Sequence, residues 1–302
     1  MKFLSNTKFL LLTTVSLWAS AFVGIRAGLE SYSPGGLALF RFIIASTCVF
    51  FIYHFRSREK TMPLKDILRA MLIGVIGIGL YNFTLNSGEL SVPSGPACFI
   101  VSQSPVISTL LALFFLGERL NFLRIIGMLV SVGGVTLIAA GINEGFTFNL
   151  GLFYILVATV VGCLYTIFQK PLLKKYHAID VTAYAIWGGT LSLVMYAPEL
   201  PQAIMHATVS STIAVIYLGI FPAAIAYVLW GMALAKIPAS RAVSFLYFSP
   251  IIATLLGWIW LNEIPMMLSV LGGLVALLGV WVVNRSYVSV ISIETNIQSK
   301  SI

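Results

Sequence analysis

Residues 93–118, PSGPACFIVSQSPVISTLLALFFLGE, and residues 238–263, PASRAVSFLYFSPIIATLLGWIWLNE, read as one segment written twice. A shift of 145 residues (93 to 238) lays Pro93 on Pro238, Ser104-Pro105 on Ser249-Pro250, Thr109-Leu110-Leu111 on Thr254-Leu255-Leu256 and Glu118 on Glu263, with no gap. The same shift carries Gly127 onto Gly272 and Gly134 onto Gly279 in the next apolar run. Chance pairs Leu with Leu in any apolar sequence. It does not pair proline, glutamate and glycine in one register, which points to an internal duplication.

Working outward from these segments, the rest of the chain is a nearly unbroken series of apolar stretches. Of 302 residues, 59% are hydrophobic and 9% charged, whereas a soluble domain carries roughly 25% charged residues. There is too little charge to coat a water-facing surface. About 20 apolar residues cross the hydrocarbon core of a bilayer, and runs set against Gly, Pro and charged breaks predict spans over 9–28, 34–55, 67–88, 93–116 and 122–141, then 150–170, 180–198, 210–232, 240–262 and 265–284. The fold class is therefore all-α: a polytopic membrane protein with ten transmembrane helices. Residues 1–141 form the first five-helix repeat, 142–149 a polar linker, 150–284 the second repeat and 285–302 a polar tail.

An odd number of spans per half makes the second copy enter the membrane upside down. Such inverted repeats place a site near the bilayer midplane, at the interface between the copies, and let it open to either side in turn. Duplication without transport is the plainer alternative. Orientation follows from Lys and Arg, which are retained on the cytoplasmic side. With the amino terminus inside, every basic residue except Arg26 and Arg41 falls in a cytoplasmic segment, from Lys2 and Lys8 through Lys65, Lys170 and Lys236 to Arg285. Both termini are then cytoplasmic. Ala19-Ser20-Ala21 has the small-residue pattern of a signal-peptide cleavage site, but the apolar run continues through Phe22, Val23 and Ile25 and reads better as a first spanning helix.

The net charge of +8 lies in short connectors and forms no patch suited to nucleic acid. Cys48, Cys98 and Cys163 fall inside apolar stretches without metal spacing, so they read as buried small hydrophobes. No metal or cofactor is expected. The expected partners are a small-molecule substrate and the lipid bilayer, with a second copy of the chain in a homodimer kept open.

Several short stretches resemble the EamA family of the drug/metabolite transporter superfamily. Leu17-Trp18-Ala19-Ser20-Ala21-Phe22 is similar to that family's first-helix motif, and Leu39-Phe40-Arg41-Phe42 to the arginine motif of its second helix. Leu116-Gly117-Glu118-Arg119-Leu120, followed by Gly127 and Gly133-Gly134, resembles its most recognisable stretch, and Leu261-Asn262-Glu263 repeats it more loosely. The resemblance covers nearly the whole chain. It implies two EamA repeats, ten helices and the movement of small metabolites, commonly outward, across a bacterial inner membrane. It names no substrate. The small multidrug branch carries an acidic residue in its first helix, and residues 9–28 contain none.

Polar groups inside the spans are the candidate site. A charge at the centre of a membrane helix costs at least about 2.5–3.5 kcal/mol, which singles out Arg41. It either attracts an anionic group such as a carboxylate, or snorkels and pairs with helix-end carbonyls. Tyr81, Asn82 and Asn86 lie toward the outer end of the third span, the two asparagines one turn apart on one face. Tyr227 and Trp230 hold the matching part of the eighth. The fourth span carries Ser102, Gln103, Ser104 and Pro105 at its middle, and the ninth Tyr247, Ser249 and Pro250. Paired prolines predict paired kinks facing a central cavity. Trp18, Phe22, Tyr165, Tyr184 and Trp187 are aromatic candidates for its wall, against the alternative of interfacial packing. His54, His177 and His206 and all the carboxylates fall at span edges, which speaks against an intramembrane enzyme. There is no GxxxxGK[ST] for ATP hydrolysis. The reading is a secondary transporter, with a channel or facilitator as the alternative.

Overall fold

The computed structural model describes residues 6–55, 61–116, 122–142 and 149–282. Among them the chain is helical throughout, with no strand. The helices are α1 (Thr7–Leu29), α2 (Pro34–His54), α3 (Leu64–Glu89), α4 (Ser94–Val101), α5 (Ser104–Leu116), α6 (Phe122–Ile142) and α7 (Leu150–Leu173). After these come α8 (Ala178–Tyr196), the short α9 (Leu200–His206), α10 (Val209–Lys236), α11 (Ala239–Val243), α12 (Ser249–Leu261) and α13 (Met267–Val282). Six of them, α1, α2, α3, α7, α8 and α10, are long and apolar enough to cross a membrane, and further apolar stretches such as Phe245–Leu261 and Met267–Val282 are shorter. The motif Gly117-Glu118-Arg119-Leu120, nearly all of the linker and the tail lie outside the described residues.

The ends follow local chemistry. Ser33 caps α2 by accepting from Gly36 N, ahead of Pro34 at its first position, where a missing N–H costs nothing. Asn149 and Thr208 cap α7 and α10 in the same manner. His177 caps α8 through its ring nitrogen, and it is exposed, as are His54 and His206.

Two predicted spans are not continuous. Expected as 93–116 and 240–262, they break at Ser102-Gln103 between α4 and α5, and at a 3-10 turn, Ser244–Phe248, between α11 and α12. The prolines explain the breaks. A proline ring clashes with the carbonyl four residues back, so Pro105 and Pro250 sit in the first turn of a new helix rather than at a mid-helix kink. Their stranded carbonyls are both answered. Ser104 Oγ donates to Val101 O at 2.6 Å, and Ser102 Oγ reaches across the molecule to Leu246 O at 3.2 Å.

The 145-residue register reappears in the backbone. It carries α5 onto α12 end for end, 104–116 onto 249–261. It also carries a π-helical turn in α3, Val75–Leu80, onto 220–225, inside the π-helical turn Gly219–Ile225 of α10. π turns are rare, and they frequently mark functional sites. Packing follows the same rule: α1 lies against α10 and α12, and its counterpart α7 lies against α3, α4 and α5. The helices of each half thus find their main neighbours in the other half. Outside this core, α6 and α13 lie side by side, with the backbones of Gly134, Gly272 and Ala276 in close approach.

The exterior is apolar. Phe50, Phe51, Leu129, Val132, Trp258, Leu271 and Leu278 are exposed, while Arg41, Asn82, Asn86 and Gln103 are buried. Lipid requires this inversion of the usual pattern, because polar groups avoid hydrocarbon and apolar ones do not.

Candidate functional site

A cavity of about 90 Å³ lies where the two halves meet, room for several waters by the volume of one. Its wall comes from both halves. Trp18, Ala21, Phe22 and Ile25 project from α1, Arg41 from α2, Gly77, Tyr81, Asn82 and Leu85 from α3, and Cys98, Val101, Ser102 and Ser104 from the α4–α5 break. Thr159, Gly162, Cys163, Tyr165 and Thr166 come from α7, Tyr227 and Trp230 from α10, and Val243, Leu246 and Ser249 from the α11–α12 break.

Of the sequence candidates, Trp18, Phe22, Arg41, Tyr81, Asn82, Ser102, Ser104, Tyr165, Tyr227, Trp230 and Ser249 share this wall. Asn86, Gln103 and Tyr247 do not. Asn86 Nδ2 donates to Pro34 O at 3.0 Å and ties α3 to the start of α2. Gln103 Nε2 donates to Phe99 O at 3.1 Å, and its carbonyl accepts from Ser131 of α6. Tyr247 Oη donates to Val280 O of α13 at 3.4 Å. These last two fasten the peripheral helices to the two breaks. Pro105 and Pro250 set the breaks without lining the cavity. Tyr184 and Trp187 instead pack on Tyr53, whose hydroxyl lies 2.8 Å from that of Tyr184.

Arg41 is 3% exposed and does not snorkel. Its Nη1 donates to Asn82 Oδ1 at 3.0 Å, and Asn82 Nδ2 donates on to Ile78 O inside the π turn of α3. No carboxylate pairs with the guanidinium among the described residues, and its Nε has no hydrogen-bond partner. Three other wall groups are buried without one: Tyr165 Oη, Trp230 Nε1 and Ser249 Oγ. Buried polar groups are nearly always satisfied, so four unpartnered ones on residues of one wall make this cavity the candidate site. The remaining wall is aromatic. Trp18 lies 5.5 Å from Tyr227 and 5.0 Å from Trp230, centroid to centroid, and Tyr165 lies 5.9 Å from Tyr227. Trp18 Nε1 donates to Pro222 O in the π turn of α10, so both π turns hold a cavity residue in place.

The packing depends on Gly77. A Cβ there would run into the ring of Tyr165, so the glycine lets that ring close the wall. Spacing on a helix cannot foretell such a contact, nor the inclusion of Cys98 and Cys163, which are free and line the cavity.

Beyond one end of the cavity lies a polar cluster. Arg26 Nε pairs with Glu263 Oε1 at 3.0 Å, and Arg26 Nη1 donates to Glu89 O at 2.6 Å. Ser94 N and Oγ both donate to Glu263 Oε2, at 3.0 and 2.5 Å. Asn262, left-handed at φ 52°, ends α12 and turns the chain so that Glu263 can face Arg26. Gly257 keeps the space free, since a Cβ there would meet Ser94 Oγ and Glu263 Oε2. At the other end, Lys170 Nζ donates to Leu234 O and Ile237 O and joins α7 to the end of α10. The sequence marked Arg26 only as a lone cation, and its partners come from distant segments.

Comparison with known proteins agrees with this architecture. A solved crystal structure 19% identical in sequence superposes with a TM-score of 0.64, covering 92% of this chain and 96% of its own. An uncharacterized transporter of Bacillus subtilis, YdfC, is 38% identical over 88% of this chain and 87% of its own length. A Streptantibioticus cattleyicolor protein named "Probable terminal-alkyne amino-acid exporter" is 36% identical, with 93% and 94% covered. An uncharacterized inner membrane transporter of Escherichia coli, YedA, is 25% identical, with 80% and 78% covered. The EamA-like transporter family matches residues 7–140 and again 149–285. With both halves matched and one cavity between them, the chain belongs to the EamA-like transporter family.

Proposed function

We propose that this protein is a secondary transporter that exports amino acids or similar carboxylate-bearing solutes by alternating access, through ten spans arranged as two inverted five-helix repeats. The observation that carries the reading is Arg41, a buried cation without a carboxylate partner among the described residues, facing a cavity walled by both halves. A guanidinium recognises a carboxylate by charge-assisted hydrogen bonds that an uncharged group cannot match. Trp18, Tyr227 and Trp230 offer ring faces to an ammonium or an apolar side chain. The hydroxyl oxygens of Tyr165 and Ser249 add acceptors. Similarity to the named amino-acid exporter supports the substrate class.

The paired breaks, paired π turns and reciprocal packing support the repeat, and five spans per copy require the second to be inverted. The concentration of Lys and Arg in alternate connectors supports cytoplasmic termini. The Arg26 cluster is then the outer gate, and the Lys170 contacts lie at the inner face.

The test is counterflow of a panel of radiolabelled amino acids in vesicles, alongside extracellular metabolites of cells lacking or overproducing the protein. Saturable counterflow of at least one carboxylate solute is expected. Arg41→Ala should reduce it roughly tenfold to a hundredfold, since charged hydrogen bonds contribute about 1.5–3 kcal/mol. Non-saturating flux without counterflow points to a channel. Wild-type transport in both Arg41→Ala and Arg41→Lys removes Arg41 from the site.

A further inference from the structure

Glu89 ends α3 and is 0% exposed, and neither carboxyl oxygen has a hydrogen-bond partner. Its position on the helix is informative. Tyr81 and Leu85, eight and four residues earlier, line the cavity, and residues four apart share a helix face with side chains leaning toward the amino end. Glu89 therefore lies one turn beyond the cavity wall, between it and the outer gate. The charged and titratable groups acting on it are Arg26 of α1, Glu263 after α12 and Arg41 of α2, with Tyr81 of α3 and Cys98 of α4 also near. α7, which packs along this end of α3, has Lys170 as its only charge, at the opposite end.

Arg26 shares a pocket with Glu263 and Glu30 and pairs with the first, while its charge also acts on the Glu89 carboxyl. It pairs with Glu263 and takes the main-chain oxygen of Glu89, leaving the Glu89 carboxyl unpaired. An isolated buried carboxylate costs several kcal/mol, whereas a neutral acid costs only its missing hydrogen bonds. A charged Glu89 would compete with Glu263 for Arg26. The two states of the carboxyl thus favour different partners for one arginine, and that arginine holds the gate together.

We propose that Glu89 is a proton-binding site that locks the outer gate: protonated, it permits the Arg26–Glu263–Ser94 closure, and on deprotonation it draws Arg26 away and opens the cavity outward. The O–H bond of the acid breaks as the gate opens, and the proton passes to water on the outer side. Gate closure takes the proton back. Linkage is reciprocal, so whatever closes the gate also raises proton uptake at this carboxyl. This gives the transporter a means of sensing external protons without an acidic residue in its first helix. The inference rests on the orientation and the cavity proposed above.

The test uses the full chain in oriented vesicles, with Cys48, Cys98 and Cys163 replaced and a single cysteine at Leu85. A membrane-impermeant thiol reagent is added outside over a range of external pH. Rates are divided by those of a cysteine at the exposed Ser91 to remove the titration of the thiol itself. With Glu89 present, relative labelling should rise with external pH. Glu89→Gln should abolish the rise and hold labelling at its low-pH value, and Glu89→Asp should retain a rise. Infrared difference spectra of the purified protein should show a protonated carboxyl signal that Glu89→Gln removes. An unchanged pH response in Glu89→Gln overturns the proton site and leaves the transporter reading intact. Inertness at Leu85 together with inertness of cysteines at Ser102 and Ser249 overturns the cavity itself.

Discussion

Arg26 and Arg41 are the two cations outside the predicted cytoplasmic segments, and they have opposite surroundings. Arg26 holds a carboxylate and a carbonyl, whereas Arg41 holds one amide oxygen and keeps Nε unpartnered. The cost of a membrane-embedded charge made Arg41 legible in the sequence. Glu89 was not legible as a buried residue, because a helix-end carboxylate is ordinarily solvated, and its burial arises where remote segments carrying Arg26 and Glu263 close over it. Glu263→Gln tests the gate at this scale. An ion pair with one partner a third exposed is worth about 1 kcal/mol or less, so a cysteine at Leu85 should react about two to five times faster from the outer side. Unchanged reactivity would mean that the pair does not hold the gate. Gly257→Ala should have the same direction of effect, because its methyl group displaces Ser94 from Glu263.

The helix boundaries were largely readable. The third span, expected over 67–88, is found at Leu64–Glu89, and the eighth, expected over 210–232, runs through Lys236. What apolar periodicity could not reveal was how the backbone rotates at its irregular turns. Ser102 and Gln103 are neighbours at one break, yet the first faces the cavity and the second bonds Ser131. Likewise Tyr247 turns to α13 while Ser249 faces inward. A π or 3-10 turn changes the angle between successive side chains, so the face assigned from regular helical spacing fails past it. These placements predict different losses. Gln103→Leu should lower thermal stability, costing about 1–3 kcal/mol for the stranded Ser131 hydroxyl and Phe99 carbonyl, with transport per folded molecule retained. Thermal unfolding and counterflow on the same preparation check this. Normal stability with lost transport would instead put Gln103 in the pathway.

At the scale of the molecule, the duplication was visible as paired Pro, Glu and Gly in one register. The structure adds matching breaks, matching π turns and a packing scheme in which each half wraps the other. The cavity is a product of that exchange, since α1 brings Trp18 to α10 and α7 brings Tyr165 to α3. The sequence placed these helices in order along the chain, but which ones meet depends on side-chain fit between halves, as at Gly77 against Tyr165. If the halves rock about a shared cavity, access to its centre must alternate. The direct measurement is labelling of single cysteines at Ser102 and Ser249, in a background lacking Cys48, Cys98 and Cys163, by an impermeant thiol reagent applied from each side in turn. Gln103→Cys serves as the control outside the cavity wall. Cysteines at Ser102 and Ser249 should label from one side at a time, Arg26→Ala should shift them toward outer access and away from inner access, and position 103 should stay inert. Simultaneous access from both sides, or inertness at 102 and 249 under every condition, would contradict alternating access.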